Sequence, residues 1–234
     1  MNNMKKLLPS TIAAVVAASA LSVSVPASAD LSASASVANM YFWRGQDLGG
    51  GAAMSADLVY SHDSGLSGGL WTSSGDGLNG TEYDLFVDFT REMSGVSLGA
   101  ALWSYQYAGD PKDELGDIGN LSELILTGGW QGISFSYYVN LAHGTVTDAE
   151  LNTASHGSTS EYSYWTLGYT YDKYSAKIGQ ADDDGPIDGY MHLDLSYAFN
   201  DNLSFTASSI VGEEEDDTMD TDLKVVVSYS IPLK

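Results

Sequence analysis

The feature that most constrains this chain is an alternation of apolar with small or polar residues, sustained with a period of two over most of its length. Tyr83, Leu85, Val87 and Phe89 stand against Glu82, Asp84, Asp88 and Thr90, and Leu223, Val225, Val227, Tyr229 and Ile231 against Asp222, Lys224, Ser228 and Ser230. Ile133 to Leu141 and Met191 to Phe199 repeat the pattern. Successive side chains of a β-strand point to opposite faces, so this is strand periodicity. Twelve such runs are expected, at 31–43, 52–61, 67–74, 81–90, 96–107, 121–130, 132–142, 160–171, 174–180, 189–199, 202–211 and 222–231. Helical spacing is absent after residue 29.

The connections alternate in length. Short ones fall at 62–66, 91–95, 131, 172–173 and 200–201, and long ones at 44–51, 75–80, 108–120, 143–159, 181–188 and 212–221. Both ends of the strand series therefore lie on the short-turn side. An even number of ten-residue strands with this layout predicts a 12-stranded antiparallel transmembrane β-barrel, with short periplasmic turns and longer acidic extracellular loops. Ten residues rising about 3.3 Å each, tilted about 40°, span roughly 25 Å, the height of the apolar band of such barrels. Closure also removes the exposed edges of an exported sheet.

A soluble sandwich or lipocalin-like barrel would alternate too, but with a charged face toward water. Here the non-apolar faces carry Ser, Thr, Gly, Ala and a few acids with almost no Lys or Arg, which suits a wet lumen. Aromatic residues near the expected strand ends (Tyr41, Tyr60, Phe89, Trp130, Tyr171, Tyr174, Phe199, Tyr229) fit girdles at the membrane interfaces. Residues 1–29 read as a signal peptide: Lys5 and Lys6 form a positive start, Leu7 to Val25 a small and apolar stretch, and Ala27-Ser28-Ala29 a cleavage signal before Asp30. The barrel is then 30–234, and losing Lys5 and Lys6 takes the formal charge from -22 to -24.

That charge excludes nucleic acid, whose binding relies on Lys and Arg. With no Cys there is no disulfide framework, thiolate nucleophile or Cys-ligated metal. No cofactor is called for. Gly65-Leu66-Ser67-Gly68-Gly69 and Gly95-Val96-Ser97-Leu98-Gly99 both spell G-x-S-x-G, yet each enters a strand from a hairpin rather than sitting on a strand-to-helix elbow. Gly75 to Gly80 spells G-x-G-x-x-G without a helix to present to a pyrophosphate. A lipid hydrolase built on an outer-membrane barrel would need Ser and His adjacent on the outer face. His62 falls in a turn, His143 and His156 in one loop, and His192 on the inner face.

Asn39-Met40-Tyr41-Phe42-Trp43-Arg44-Gly45-Gln46 with the Gly-rich turn after it, Tyr60 to Leu66, Glu82-Tyr83-Asp84-Leu85 and Thr221 to Ser228 together resemble the TorF-type outer-membrane porin family of proteobacteria. The resemblance implies a barrel and a pore, with no settled solute. It also implies outer-membrane lipid and lipopolysaccharide as surroundings, and the barrel-assembly machinery as a partner during insertion.

Twelve strands about 4.8 Å apart give a backbone diameter of roughly 24 Å, so side chains decide whether the lumen conducts. Alternation predicts a pore lining that includes Asp57, Glu82, Asp84, Asp88, Glu123, Lys177, His192, Asp194 and Lys224, together with Ser55, Ser134, Ser136, Asn140, Ser196, Thr206 and Ser228. Six acids against two lysines favour cations, or small neutral and zwitterionic solutes, over anions. The alternative is that Lys177 and Lys224 pair with carboxylates, Asp194 being a neighbour for Lys177, and plug the lumen as a structural network. The loops through Asp222 carry 19 of the 31 acids, opposed by Arg44 and Lys112. The densest runs are Asp182, Asp183 and Asp184 with Asp188, and Glu213, Glu214, Glu215, Asp216 and Asp217. They read as a cation funnel, as Ca²⁺ or Mg²⁺ binding that bridges to lipopolysaccharide, or as a solvated, self-repelling surface, and 182–189 lacks the spacing of an EF-hand loop. The expectation is a non-enzymatic, passive outer-membrane pore for small hydrophilic solutes. A plugged structural or adhesive barrel and a lipid hydrolase are the alternatives.

Overall fold

A computed structural model describes residues 30–49, 51–76, 80–107, 121–143, 163–182, 189–213 and 219–233. Twelve long antiparallel strands close into a barrel: β1 (Asp30–Ala38), β4 (Ala53–Ser61), β5 (Leu66–Asp76), β6 (Gly80–Met93), β7 (Val96–Tyr107), β8 (Leu121–Trp130), β9 (Ile133–His143), β10 (Ser163–Tyr171), β11 (Tyr174–Asp182), β12 (Tyr190–Ala198), β13 (Leu203–Glu213) and β14 (Lys224–Leu233). Each pairs with its chain neighbour, and β1 against β14 closes the ring, Ser36 opposite Ser230. Two more strands, β2 (Phe42–Trp43) and β3 (Gln46–Asp47), pair only with each other.

The barrel is apolar outside and polar inside. Leu58, Leu85, Leu102, Leu126, Leu167 and Leu195 stand exposed on the outer surface, while Glu82, Asp84, Glu123, His192 and Asp194 are buried on the inner one. An exposed band of large apolar side chains is costly in water and favourable in lipid, which also requires every backbone group to be paired by a closed sheet. Tyr60, Phe89, Trp130, Tyr171, Tyr174, Phe199 and Tyr229 ring the turn end, all exposed.

The turns follow local backbone chemistry. Ser94-Gly95 and Gln131-Gly132 take positive φ at both positions (54° and 81°; 48° and 86°), the type I′ pattern whose twist matches the strands it joins. Two long connections differ from the sequence reading. At 75–80, β5 reaches Asp76 and β6 begins at Gly80, leaving only 77–79 between them. The run expected at 31–43 stops at Ala38, and the residues after it do not form a surface loop.

Candidate functional site: the barrel interior

After β1 the chain turns inward. Asn39 replaces the ladder at the seam: its side-chain amide donates to the Val225 carbonyl at 2.9 Å and its Oδ1 accepts from the Val227 N–H at 2.7 Å. Phe42–Trp43 and Gln46–Asp47 then form a small hairpin, closed by the Leu48 N–H on the Tyr41 carbonyl at 2.9 Å. Its tip is Arg44-Gly45, with φ of 47° and 86°, the same left-handed pair as the two outer turns. Tyr41, Phe42 and Arg44 are 4%, 5% and 1% exposed, so the hairpin fills the loop-side half of the interior. Tyr41 therefore lies inside, donating its phenolic O–H to Glu82, and is not part of an interfacial girdle. Arg44 likewise leaves the set of loop charges.

Arg44 crosses to the far wall. Its Nη2 meets both carboxylate oxygens of Glu123 at 2.8 and 2.7 Å, and Tyr105 donates to Glu123 Oε2 at 3.0 Å. The guanidinium carbon lies 4.2, 4.4 and 4.8 Å from the ring centres of Trp43, Tyr164 and Tyr138. Desolvated contacts of this kind make cation–π attraction count. Tyr190 donates to the Arg44 carbonyl at 3.0 Å and accepts from Gln46 Nε2 at 2.7 Å. Beneath the tip, Tyr164 O–H meets His192 Nε2 at 2.7 Å, and His192 Nδ1 meets Asp194 Oδ1 at 2.8 Å. Asp194 also accepts from Ser208 at 2.7 Å and pairs with Lys177 at 2.9 Å. A carboxylate already paired with Lys177 accepts, so His192 donates from Nδ1 and takes the Tyr164 proton at Nε2.

Close packing holds this arrangement. A Cβ on Gly45 would stand 2.6 Å from His192 Cβ and Cγ, and one on Gly179 would collide with His192 and Tyr164. The pairing shifts between Ser122 and Glu123 and between Met191 and His192, both beside hairpin contacts. Bulges are a common means of re-aiming a side chain into a site.

The other wall differs. On β4 and β6, Asp57 accepts from Ser34 and Asp88 from Ser67, with no basic side chain against either among the described residues. Asp84 is 2% exposed and its carboxyl lies against that of Glu82, with Oδ1 lacking a hydrogen-bond partner among the described residues. Lys224 is buried at the loop end, where it meets Asp220 Oδ2 at 3.2 Å and the Asp220 and Asp222 carbonyls at 2.6 and 3.0 Å. The Asp222 N–H, then Lys224, hold the exposed Asp220 carboxyl below its usual range. Ser55, Ser134, Ser136, Asn140, Ser196, Thr206 and Ser228 occupy the same alternation positions as these acids, Ser134 being the exposed one, at the turn end.

Asp182 closes β11 and accepts from Gln180 at 2.7 Å. Asp183, Asp184, Asp188, Glu214, Glu215, Asp216 and Asp217 lie outside the described residues, and Glu213 is described only through its backbone pairing with Tyr190. No group of three or more His, Asp or Glu suited to a metal occurs among the described residues. Sequence reading missed the hairpin; the signal for it was Arg44-Gly45 between Phe42-Trp43 and Gln46-Asp47, two residues of turn between two pairs of strand.

No protein-family model matches the chain, and no curated protein matches it in sequence. Similar solved structures include a KdgM porin (8% identity, TM-score 0.48, 88% of this chain and 99% of that one). An outer membrane channel from Pseudomonas putida F1 gives 12%, 0.41, 90% and 97% on the same measures. A structure from work on the in-meso crystallization of membrane proteins gives 10%, 0.55, 86% and 83%. The last of these likenesses establishes a shared fold.

Proposed function

We propose that this chain is an outer-membrane channel, exported by its residues 1–29, that passes small hydrophilic solutes down their gradient, with a lean toward cations. The observation that carries the reading is the uneven interior. The hairpin ties Arg44 to Glu123 on β8 and Tyr41 to Glu82 on β6, and among the described residues Asp57 and Asp88, nearer the turns, have no basic partner. Unmatched carboxylates in a narrow, low-dielectric passage concentrate cations and repel anions. The resemblance to TorF-type porins supports the pore without choosing its solute, and the apolar outer band suits a setting of outer-membrane lipid and lipopolysaccharide, reached through the barrel-assembly machinery. The acidic loops would extend the funnel outward. No covalent chemistry is needed: His192 is held by Tyr164 and Asp194 inside the barrel, away from any lipid-facing serine.

One observation favours a second reading, a barrel plugged at rest. Tyr164, His192 and Glu123 are 0% exposed, which leaves no space around the hairpin tip. Both are tested by refolding the protein into planar bilayers across a KCl gradient. Discrete conductance steps with a cation-signed reversal potential support the channel. A folded, inserted protein that never conducts supports the plug.

A further inference from the structure

The side chains that hold the Arg44 guanidinium belong to the barrel wall and are fixed by bonds that do not involve the hairpin. Tyr105 of β7 donates to Glu123 of β8 at 3.0 Å, which sets the carboxylate. Tyr164 of β10 is set by its bond to His192 Nε2 at 2.7 Å, its ring lying parallel to the imidazole within 4°. Register puts Tyr138 of β9 directly between Ile125 of β8 and Tyr164, and its ring centre is 5.2 Å from that of Tyr164, with planes 56° apart. Glu123, Tyr105, Tyr138 and Tyr164 are all buried, and each sits on a strand paired on both sides. A carboxylate and two tilted phenol rings therefore form a cage that the wall builds by itself. The hairpin brings to it the guanidinium of Arg44 and the ring of Trp43.

We propose that this cage is a binding site for small guanidinium compounds, and that Arg44 occupies it at rest as a tethered stand-in. The contacts are those a planar guanidinium makes: its carbon lies 4.4 and 4.8 Å from the Tyr164 and Tyr138 ring centres, and Nη2 reaches both Glu123 oxygens at 2.8 and 2.7 Å. A guanidinium is weakly hydrated, lies over aromatic faces and gives charge-assisted bonds to a carboxylate; an ammonium ion is a compact, strongly hydrated charge that fits such a slot poorly. Glu123 is sealed by the group that sits on it, so it becomes reachable when Arg44 is withdrawn or shortened. A free guanidinium must displace one held on a short tether, whose effective concentration is on the order of millimolar. The affinity of the cage is thus masked in the parent protein and unmasked without Arg44. The site stands apart from passage; that a free ligand taking the cage releases the hairpin and opens the interior rests on the channel reading.

Parent and Arg44→Ala proteins, refolded in detergent micelles and verified by heat-modifiable gel mobility, are compared by saturation-transfer NMR on the methyl protons of methylguanidinium. Arg44→Ala is expected to bind it at least ten-fold more tightly than the parent, saturably, and equal concentrations of methylammonium or KCl should fail to compete. Arg44→Lys, which keeps a charge on the hairpin but lacks the planar group, should move binding in the same direction by less, and it answers the question should Arg44→Ala not fold. Adding Glu123→Gln to Arg44→Ala should weaken binding at least ten-fold. Equal binding by the parent and a folded Arg44 variant, displacement by methylammonium as effective as by methylguanidinium itself, or unchanged binding in the folded double variant overturns the proposal. Binding in micelles without conductance in bilayers would sink the channel and leave the site standing; conductance without binding would do the reverse.

Discussion

Two walls of one barrel treat charge in opposite ways. Along β8–β12, Arg44, Glu123, Lys177, His192 and Asp194 are each matched by an opposite charge, a hydrogen-bond partner or an aromatic face. Along β4–β6, Glu82 is engaged by Tyr41 of the hairpin and Asp84 lies against Glu82, while Asp57 and Asp88 meet serine hydroxyls with no basic side chain against them among the described residues. A buried charge is costly unless it is paired, so the first wall is a structural network that, with the Tyr41–Glu82 bond on β6, anchors the hairpin. The second keeps its potential for whatever passes. The difference separates residues that hold the interior in place from residues that act on a solute.

The largest break in this contrast is Arg44→Ala. Removing one partner of a buried ion pair costs about 3–5 kcal/mol. The hairpin is expected to leave the wall, seen as lost amide-exchange protection over 39–49 and a rise in conductance. Gly45→Ala acts in the same direction with less force, about 1–3 kcal/mol, because it combines a left-handed φ of 86° with a clash against His192. Both should make the pore noisier, and a conductance identical to the parent in either would contradict the anchoring role.

Asp57→Asn with Asp88→Asn should change stability by less than about 1 kcal/mol, since an amide oxygen still accepts from Ser34 and Ser67. Its effect should fall on selectivity. Asp220→Asn is the smallest: the residue is an exposed rim partner of Lys224, and exposed pairs are screened by water and salt. Neither thermal midpoint nor reversal potential is expected to move measurably, and a loss of selectivity there would shift the charge filter from the wall to the rim.

The barrel was legible in the sequence because its pattern has one physical source. Lipid outside and water inside impose a period of two on every strand, and Leu85 opposite Asp84 reports it as directly as Val225 opposite Lys224. Strand number followed from the spacing of turns such as Gln131-Gly132. The hairpin was not legible, because Tyr41, Phe42 and Trp43 continue the alternation of β1 and no local rule says where a strand leaves its sheet. Arg44-Gly45 turns by the same backbone chemistry as Ser94-Gly95, but its aromatic and arginine side chains are selected by Tyr138, Tyr164 and Glu123, which lie 94 to 120 positions onward along the chain or 79 in the case of the carboxylate. Pairings of that separation are properties of the closed barrel. Tyr41 was misread for the same reason: an aromatic near a strand end suits a girdle until the chain bends inward.

The contrast between the walls is tested most directly by the reversal potential of Asp57→Asn with Asp88→Asn, recorded beside the parent protein in one KCl gradient. The account predicts a parent potential of cation sign and a variant potential displaced toward zero, with unit conductance retained. A folded, conducting variant whose reversal potential equals that of the parent would contradict it.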